Sequence, residues 1–120
     1  MSAKKILIVD DSSTDRLKLK EVVDSAGCDV VTASSGAEAI EKAKSEKPDM
    51  IFMDIIMDEM DGYKACREIN KDPQTKDIPV IFVSSKNQKA DRVWAGLQGG
   101  KGLIGKPYSP KEILEQINSH

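Results

Sequence analysis

The sequence predicts an α/β fold, a doubly wound five-stranded parallel sheet with helices on both faces. Three observations predict it. Five short apolar segments, KILIV (5–9), DVVTA (29–33), MIFM (50–53), PVIFV (79–83) and GLIG (102–105), recur along the chain with an amphipathic stretch after each. Each segment is nearly continuously apolar instead of alternating, as expected of strands buried on both faces. Helix-start signals fall between the segments, where crossover helices belong.

Taken in order, KILIV ends in Asp10 and Asp11, and DDSSTD then opens a helix over 13–26 with Ser12 and Asp15 in capping-box relation. Leu17, Leu19, Val22, Val23 and Ala26 are close to helical spacing and are expected inward. After DVVTA, Ser35 caps a helix over 36–46, Glu38 reaching back and Ala39, Ile40 and Ala43 facing the core. MIFM delivers Asp54. An acidic loop then runs to Asp61-Gly62, which starts a helix with Tyr63, Cys66 and Ile69 along one side. PVIFV ends in Ser84 and Ser85, and a helix near 88–98 follows, interrupted by Gly96. Its stripe of Ala90, Val93, Trp94 and Leu97 reads first as core, and second as an exposed anchor for a partner. GLIG leads to Lys106-Pro107, and SPKE (109–112) supplies cap, first-turn proline and reciprocal glutamate for the last helix.

A chain of 120 residues is expected to form one domain, spanning 1–120. Hydrophobic residues at 39% and charged residues at 32% are ordinary for a globular protein. Eighteen basic against twenty acidic residues give a net charge of -2, which argues against a nucleic-acid surface. No apolar stretch is long enough to insert in a membrane. The opening MSAKKILIVDD has too short an apolar run for a signal-peptide core, so a cytoplasmic location is expected. Cys28 and Cys66 lack metal-motif spacing and are expected to be free thiols.

In a doubly wound sheet, ligands bind beyond the C-terminal strand ends. There the sequence places Asp10 and Asp11, then Asp54, Ser84 and Lys106. Alone, each has an ordinary explanation as a cap, a loop hydroxyl or a solvated charge; at successive strand ends they form a site. Clustered carboxylates resist ionisation unless a cation sits among them, and a few carboxylates suit Mg²⁺. A carboxylate beside such a metal, with a lysine and a hydroxyl in reach, suits phosphoryl transfer onto Asp54. Lys106 would neutralise the transferred oxygens and Ser84 would donate to one of them.

The motifs ILIVDDS (6–12), MDIIMDEMDG (53–62), PVIFVSS (79–85) and GKP (105–107), in this order and at these separations, resemble the receiver domain of two-component response regulators. The resemblance covers the whole chain and implies a flavodoxin-like receiver fold. It further implies that Asp54 accepts phosphate from a phosphohistidine on a sensor histidine kinase. Asp11 would bind Mg²⁺ directly, Asp10 through water, and the Ile56 carbonyl would complete the protein ligands. Lys106–Pro107 would be cis. Chain length resembles the stand-alone chemotaxis type, and VWAGLQGGKGLIGKP (93–107) resembles the small regulators of type IV pilus twitching motility.

Three positions depart from the family pattern. Asp58 stands where proline is usual and should free the loop and deepen the repulsion that a metal relieves. Leu103 replaces the switch aromatic, and Ser84 replaces the commoner threonine. Ile56 and Lys86 would flank the path of an attacking water and tune the lifetime of the phosphorylated state, with autodephosphorylation slower than in a fast chemotaxis regulator. Output is expected through the face of the fourth helix, fifth strand and fifth helix, with Trp94 ringed by Lys89, Arg92 and Lys101. A phosphate sink without an output partner, or a degenerate receiver that binds constitutively, are the competing readings. A nucleotide site is disfavoured because DDSSTD contains no glycine, and an aspartate-nucleophile hydrolase because Ile56 occupies the position of its general acid. The protein is expected to promote its own phosphorylation and dephosphorylation, not to turn over an external substrate.

Overall fold

The computed structural model describes residues 4–120; residues 1–3, part of the stretch read as too short for a signal peptide, lie outside the described residues. The strands are β1 (Lys5–Val9), β2 (Asp29–Ala33), β3 (Met50–Met53), β4 (Val80–Ser84) and β5 (Gly102–Gly105). Each is followed by a helix: α1 (Ser13–Ser25), α2 (Gly36–Glu46), α3 (Gly62–Lys71), α4 (Lys89–Leu97) and α5 (Pro110–Ser119). All pairings are parallel, in the order β2-β1-β3-β4-β5. The two neighbours of β1 are therefore β2 and β3, and the crevice where the order reverses opens at its C-terminal end, beside Asp10 and Asp11.

Strand alternation divides the core in two. Leu7, Val9, Ile51, Met53, Val80, Phe82 and Leu103 face α2, α3 and α4, joined by Ala39, Ala43, Tyr63, Cys66 and Ile69. Ile6, Ile8, Met50, Phe52, Ile81, Val83 and Ile104 face α1 and α5, joined by Leu19, Val23, Ile113 and Ile117. The Tyr63 ring packs edge-on against Phe82 with centroids 5.2 Å apart. Central strands β1, β3 and β4 are buried on both faces, as their unbroken apolar runs require. The edge strand β2 departs from that expectation: only Ala33 is fully buried, because one side has no neighbouring strand.

Caps end and start the helices largely where expected. Ser12 accepts from the Asp15 N–H at 3.3 Å and Ser35 from the Glu38 N–H at 3.1 Å. The Glu38 carboxylate reaches one residue further back than expected, to the Ser34 N–H at 2.8 Å. At α5 the reciprocal pair between Ser109 and Glu112 is complete. Gly27, at φ 81°, takes the left-handed turn after α1 without a Cβ penalty.

Inward assignments fail on two helices, where Ala26 at the end of α1 and Ala90 on α4 are exposed together with larger side chains. Leu17 on α1 is 56% exposed, since the core face of that helix is narrow and holds only Leu19 and Val23 fully buried. On α4, Val93, Trp94 and Leu97 are 61%, 52% and 69% exposed, and the single buried residue is Ala95. Helical spacing identifies a common face but not which way it points. Here Ala95, small enough for close approach to the sheet, turns inward and the large apolar stripe turns out. Both Cys28 and Cys66 are free thiols. No helix among the described residues is long and apolar enough to cross a membrane.

Candidate functional site

The C-terminal ends of β1, β3 and β5 bring four charged side chains together. The Asp10 N–H donates to Ala33 O at 3.2 Å and the Asp54 N–H to Val9 O at 3.0 Å, extending the sheet ladder by one residue on each strand. Asp10 and Asp54 are thereby held, nearly buried, where the strands stop. Asp10, Asp11 and Asp54 each present a carboxylate oxygen within 4.8 Å of the others, Asp11 on the exposed rim. Lys106, just beyond β5, reaches across with Nζ 2.8 Å from Asp10, 3.1 Å from Asp15 and 3.2 Å from Asp54.

Hydrogen bonds fix this cluster from behind. Asp54 Oδ1 accepts from the Ile55 N–H at 2.7 Å while Oδ2 faces Lys106. Asp10 Oδ1 accepts from the Ser12 N–H at 2.9 Å, and Arg16 donates to the Asp10 carbonyl at 2.7 Å. The Asp58 N–H donates to Asp11 at 3.2 Å, tying the acidic loop to the rim. Burial pushes the Asp10 carboxyl above its usual range, and the Asp54 charge adds to this; the Lys106 ammonium and the Ser12 N–H only partly oppose it. Burial disfavours the Lys106 ammonium, but Asp10, Asp54 and Asp15 more than offset this and hold its pKa above the ordinary lysine value.

The donor set fits a small hard cation: three carboxylates converge, one at the solvent edge, and they carry more negative charge than Lys106 neutralises. Asp10, Asp11 and Asp54 would hold Mg²⁺ with retained waters. The Ile56 carbonyl belongs to the same loop, three residues past the end of β3.

Other expected residues fall in different places. Ser84 is the last residue of β4, not the first beyond it, and is fully buried; its hydroxyl accepts from the Lys86 N–H at 3.1 Å. The Lys86 ammonium pairs with Asp91 in the first turn of α4 at 3.4 Å. Ile56 is 58% exposed and lines a groove with Ile55, Met57, Asp61, Tyr63, Lys86 and Trp94. Trp94 thus lies toward the β3–α3 loop. Arg92 and Lys101 border a separate hollow with Leu103, and Arg92 donates to the Leu103 carbonyl at 2.7 Å. Leu103 itself is buried. Asp61 is the α3 cap, accepting from the Lys64 N–H at 2.9 Å. Asp58 and Glu59 are exposed, and Glu59 takes φ 65° in a tight turn closed by the Met60 N–H to Asp58 O at 2.7 Å. The Lys106–Pro107 peptide is cis.

Two residues were not anticipated in their roles. Asp15, read as a cap partner, sends its carboxylate to Lys106; the sequence signal was an acid one helical turn beyond Asp11. Gly62 touches the site through its missing side chain, because a Cβ there would sit 2.1 Å from the Asp54 carbonyl oxygen.

Known proteins share this sequence pattern and this fold. Residues 6–118 match the response regulator receiver domain. The chain belongs to that family. It is 40% identical to protein PilH of Pseudomonas aeruginosa over 115 residues, covering 96% of this chain and 95% of that protein. It is 42% identical to chemotaxis protein CheY of Thermotoga maritima over 117 residues, covering 96% of this chain and 95% of the relative. Among solved structures, the CheX–CheY complex with BeF3 and Mg from Borrelia burgdorferi superposes with a TM-score of 0.90 at 29% identity, covering 97% of this chain and 87% of that one. The fold is therefore the flavodoxin-like fold of CheY-type receivers, and the chain is a receiver of two-component signalling.

Proposed function

We propose that this receiver takes a phosphoryl group on Asp54 from the phosphohistidine of a sensor histidine kinase, and that the phosphorylated form binds a downstream protein. The observation that carries the reading is the position of Lys106 Nζ, 3.2 Å from Asp54 at the edge of three convergent carboxylates. In the transfer, an Asp54 carboxylate oxygen forms the new bond to phosphorus, and the bond from phosphorus to the donor's nitrogen breaks, its electron pair leaving on the imidazole. Asp11 and Asp54 with the Ile56 carbonyl, and Asp10 through water, would hold Mg²⁺, which would supply charge neutralisation for the transferred oxygens. Lys106 gives one of them an ammonium donor, and Ser84, at the end of β4, has the hydroxyl to serve another. Leaving-group chemistry apart, the protein's part is positioning and charge.

The exposed stripe of Val93, Trp94 and Leu97 favours an output partner over a phosphate sink, since a contiguous apolar face on one helix marks an interaction surface. The expected output face comprises α4, β5 and α5. The likeness to PilH supports a role in pilus-based twitching motility, in the cytoplasm, with no external substrate turned over. Incubation with acetyl phosphate with and without Mg²⁺, read by intact mass beside Asp54→Asn, tests the chemistry. A metal-dependent adduct absent from the variant is expected. No adduct under any metal condition would mean a degenerate receiver that binds its partner constitutively.

A further inference from the structure

We infer that Asp15 is a positioning residue that competes for Lys106 and slows phosphorylation of Asp54; this rests on the receiver chemistry proposed above. An ammonium has three donors. In this structure Lys106 spends all three on carboxylates: Asp10 at 2.8 Å, Asp15 at 3.1 Å and Asp54 at 3.2 Å. A phosphoryl oxygen arriving at Asp54 needs one of them. Asp10 and Asp54 belong to the group of carboxylates that converge for a metal; Asp15 does not. It is also the most exposed of the three, its side chain 45% accessible against 7% and 11% for Asp10 and Asp54.

Asp15 is therefore the acceptor that gives way. It borders a hollow of about 310 Å³ between α1 and the start of α5, lined also by Lys18, Pro107 and Tyr108, so the carboxylate has room to swing aside. Lys18 stands over the Tyr108 ring, its Nζ 5.5 Å from the centroid, and offers a second cation on that side. Until Asp15 releases it, Lys106 is drawn toward α1, and the Asp15 charge also opposes the approach of an anionic phosphoryl donor. With acetyl phosphate the step forms the bond from an Asp54 oxygen to phosphorus and breaks the bond from phosphorus to the acyl oxygen. Acetate leaves with the electron pair, and nothing is oxidised or reduced.

The test compares wild type, Asp15→Asn and Asp15→Glu with Mg²⁺ present. Adduct formation on Asp54 is followed at low and saturating acetyl phosphate, and affinities for Mg²⁺ alone and for beryllofluoride with Mg²⁺ are measured by calorimetry. Asp15→Asn keeps the shape but loses the charge. It is expected to phosphorylate about two- to fivefold faster, the span of a half-exposed ion pair. Beryllofluoride should bind tighter by a similar factor, and Mg²⁺ affinity should stay within about twofold, since Asp15 lies outside the convergent set. Asp15→Glu, which restores the charge, should behave as wild type. An unchanged or slower Asp15→Asn, or a change in Mg²⁺ affinity as large as that in rate, would overturn the inference. Failure of wild type to form any adduct that Asp54→Asn abolishes would instead overturn the receiver chemistry beneath it.

Discussion

Gly62→Ala adds one methyl group at the first residue of α3, a position where alanine would ordinarily favour the helix. A Cβ there would stand 2.1 Å from the Asp54 carbonyl oxygen and 3.0 Å from both the Asp54 carbonyl carbon and the Ile55 Cα. It falls about 1.3 Å inside the 3.4 Å at which ordinary contact begins. Every atom it meets is backbone, so no side chain can rotate away. The helix start is also tied to this segment by the Gly62 N–H donating to Ile55 O at 2.8 Å. Accommodation must come from a shift of order 1 Å in the peptide that carries Asp54. Overpacking of this kind costs about 1–3 kcal/mol, against at most about 1 kcal/mol gained in helix propensity. The expected net loss is about 1–2 kcal/mol by urea denaturation, roughly 4–10 °C in Tm for a chain of this size. Misplacement of a reacting group by about 1 Å can lower a rate about a hundredfold, so acetyl phosphate labelling of Asp54 should fall by one to two orders of magnitude. Gly96→Ala is the control. Its Cβ would meet nothing within 4 Å on the exposed side of α4, and the same substitution should stabilise by about 0.5–1 kcal/mol. Gly62→Ala with stability within about 0.5 kcal/mol of wild type and undiminished labelling would refute the reasoning.

Three further outcomes follow from the geometry. Asp10→Asn keeps the acceptor for the Ser12 N–H but removes a charge that burial disfavours; a carboxyl whose folded pKa is raised weakens the fold increasingly as pH rises through that pKa. The variant should therefore melt higher than wild type at pH 7 without metal, the advantage fading below about pH 4. Saturation with Mg²⁺ at about one hundred times Kd should add about 2.7 kcal/mol to wild type, an increment the variant should lose. Lys47 ends α2 at φ 47°, so Lys47→Gly should stabilise by about 0.5–1 kcal/mol, read as a higher urea midpoint at unchanged slope. Burial pushes the Cys66 thiol up to about 11, so alkylation of native protein at pH 8 should label Cys28 first, with Cys66 reacting only on unfolding.

The fold and the carboxylate site were legible in the sequence for one reason. In a parallel sheet the residue after each strand has a fixed place, so the apolar runs before Asp10, Asp54 and Lys106 locate those side chains without knowledge of any side-chain contact. Roles set by tertiary contact were not legible in the same way. Lys86 follows β4 closely, yet its ammonium turns to Asp91, an acid on the next helix that no strand-end rule anticipates. Asp15 looked complete as part of a capping box, and only the approach of Lys106 from β5, three places from β1 in the sheet, gives its carboxylate another partner. Gly62 read only as the start of a helix; its requirement comes from the backbone of Asp54 and Ile55 just past β3, which the local sequence does not show.

The outward stripe of α4 belongs to a larger argument about which element can move. This helix buries only Ala95 completely, whereas α3 buries Gly62, Tyr63, Ala65, Cys66 and Ile69. What holds α4 is largely polar: the Gln88–Asp91 cap, the pairing of Lys86 with Asp91, the Tyr63 hydroxyl donating to Asp91 O at 3.4 Å, and Arg92 on the Leu103 carbonyl. Few apolar contacts and solvent-accessible polar ties are the features of a segment with low local stability. Two further contacts lead from this segment toward the strand ends around Asp54. The Lys86 N–H sits on the Ser84 hydroxyl, so a Ser84 that turns toward a phosphoryl oxygen gives up that bond and loosens the segment beginning α4. Ile56 and Trp94 line one groove, so the loop that carries the Ile56 carbonyl borders the same edge of the helix. Leu103, packed in the core, has no hydroxyl with which to transmit the change. The β4–α4 turn and the β3–α3 loop are thus the two segments that join the strand ends around Asp54 to the edge of α4 carrying Trp94.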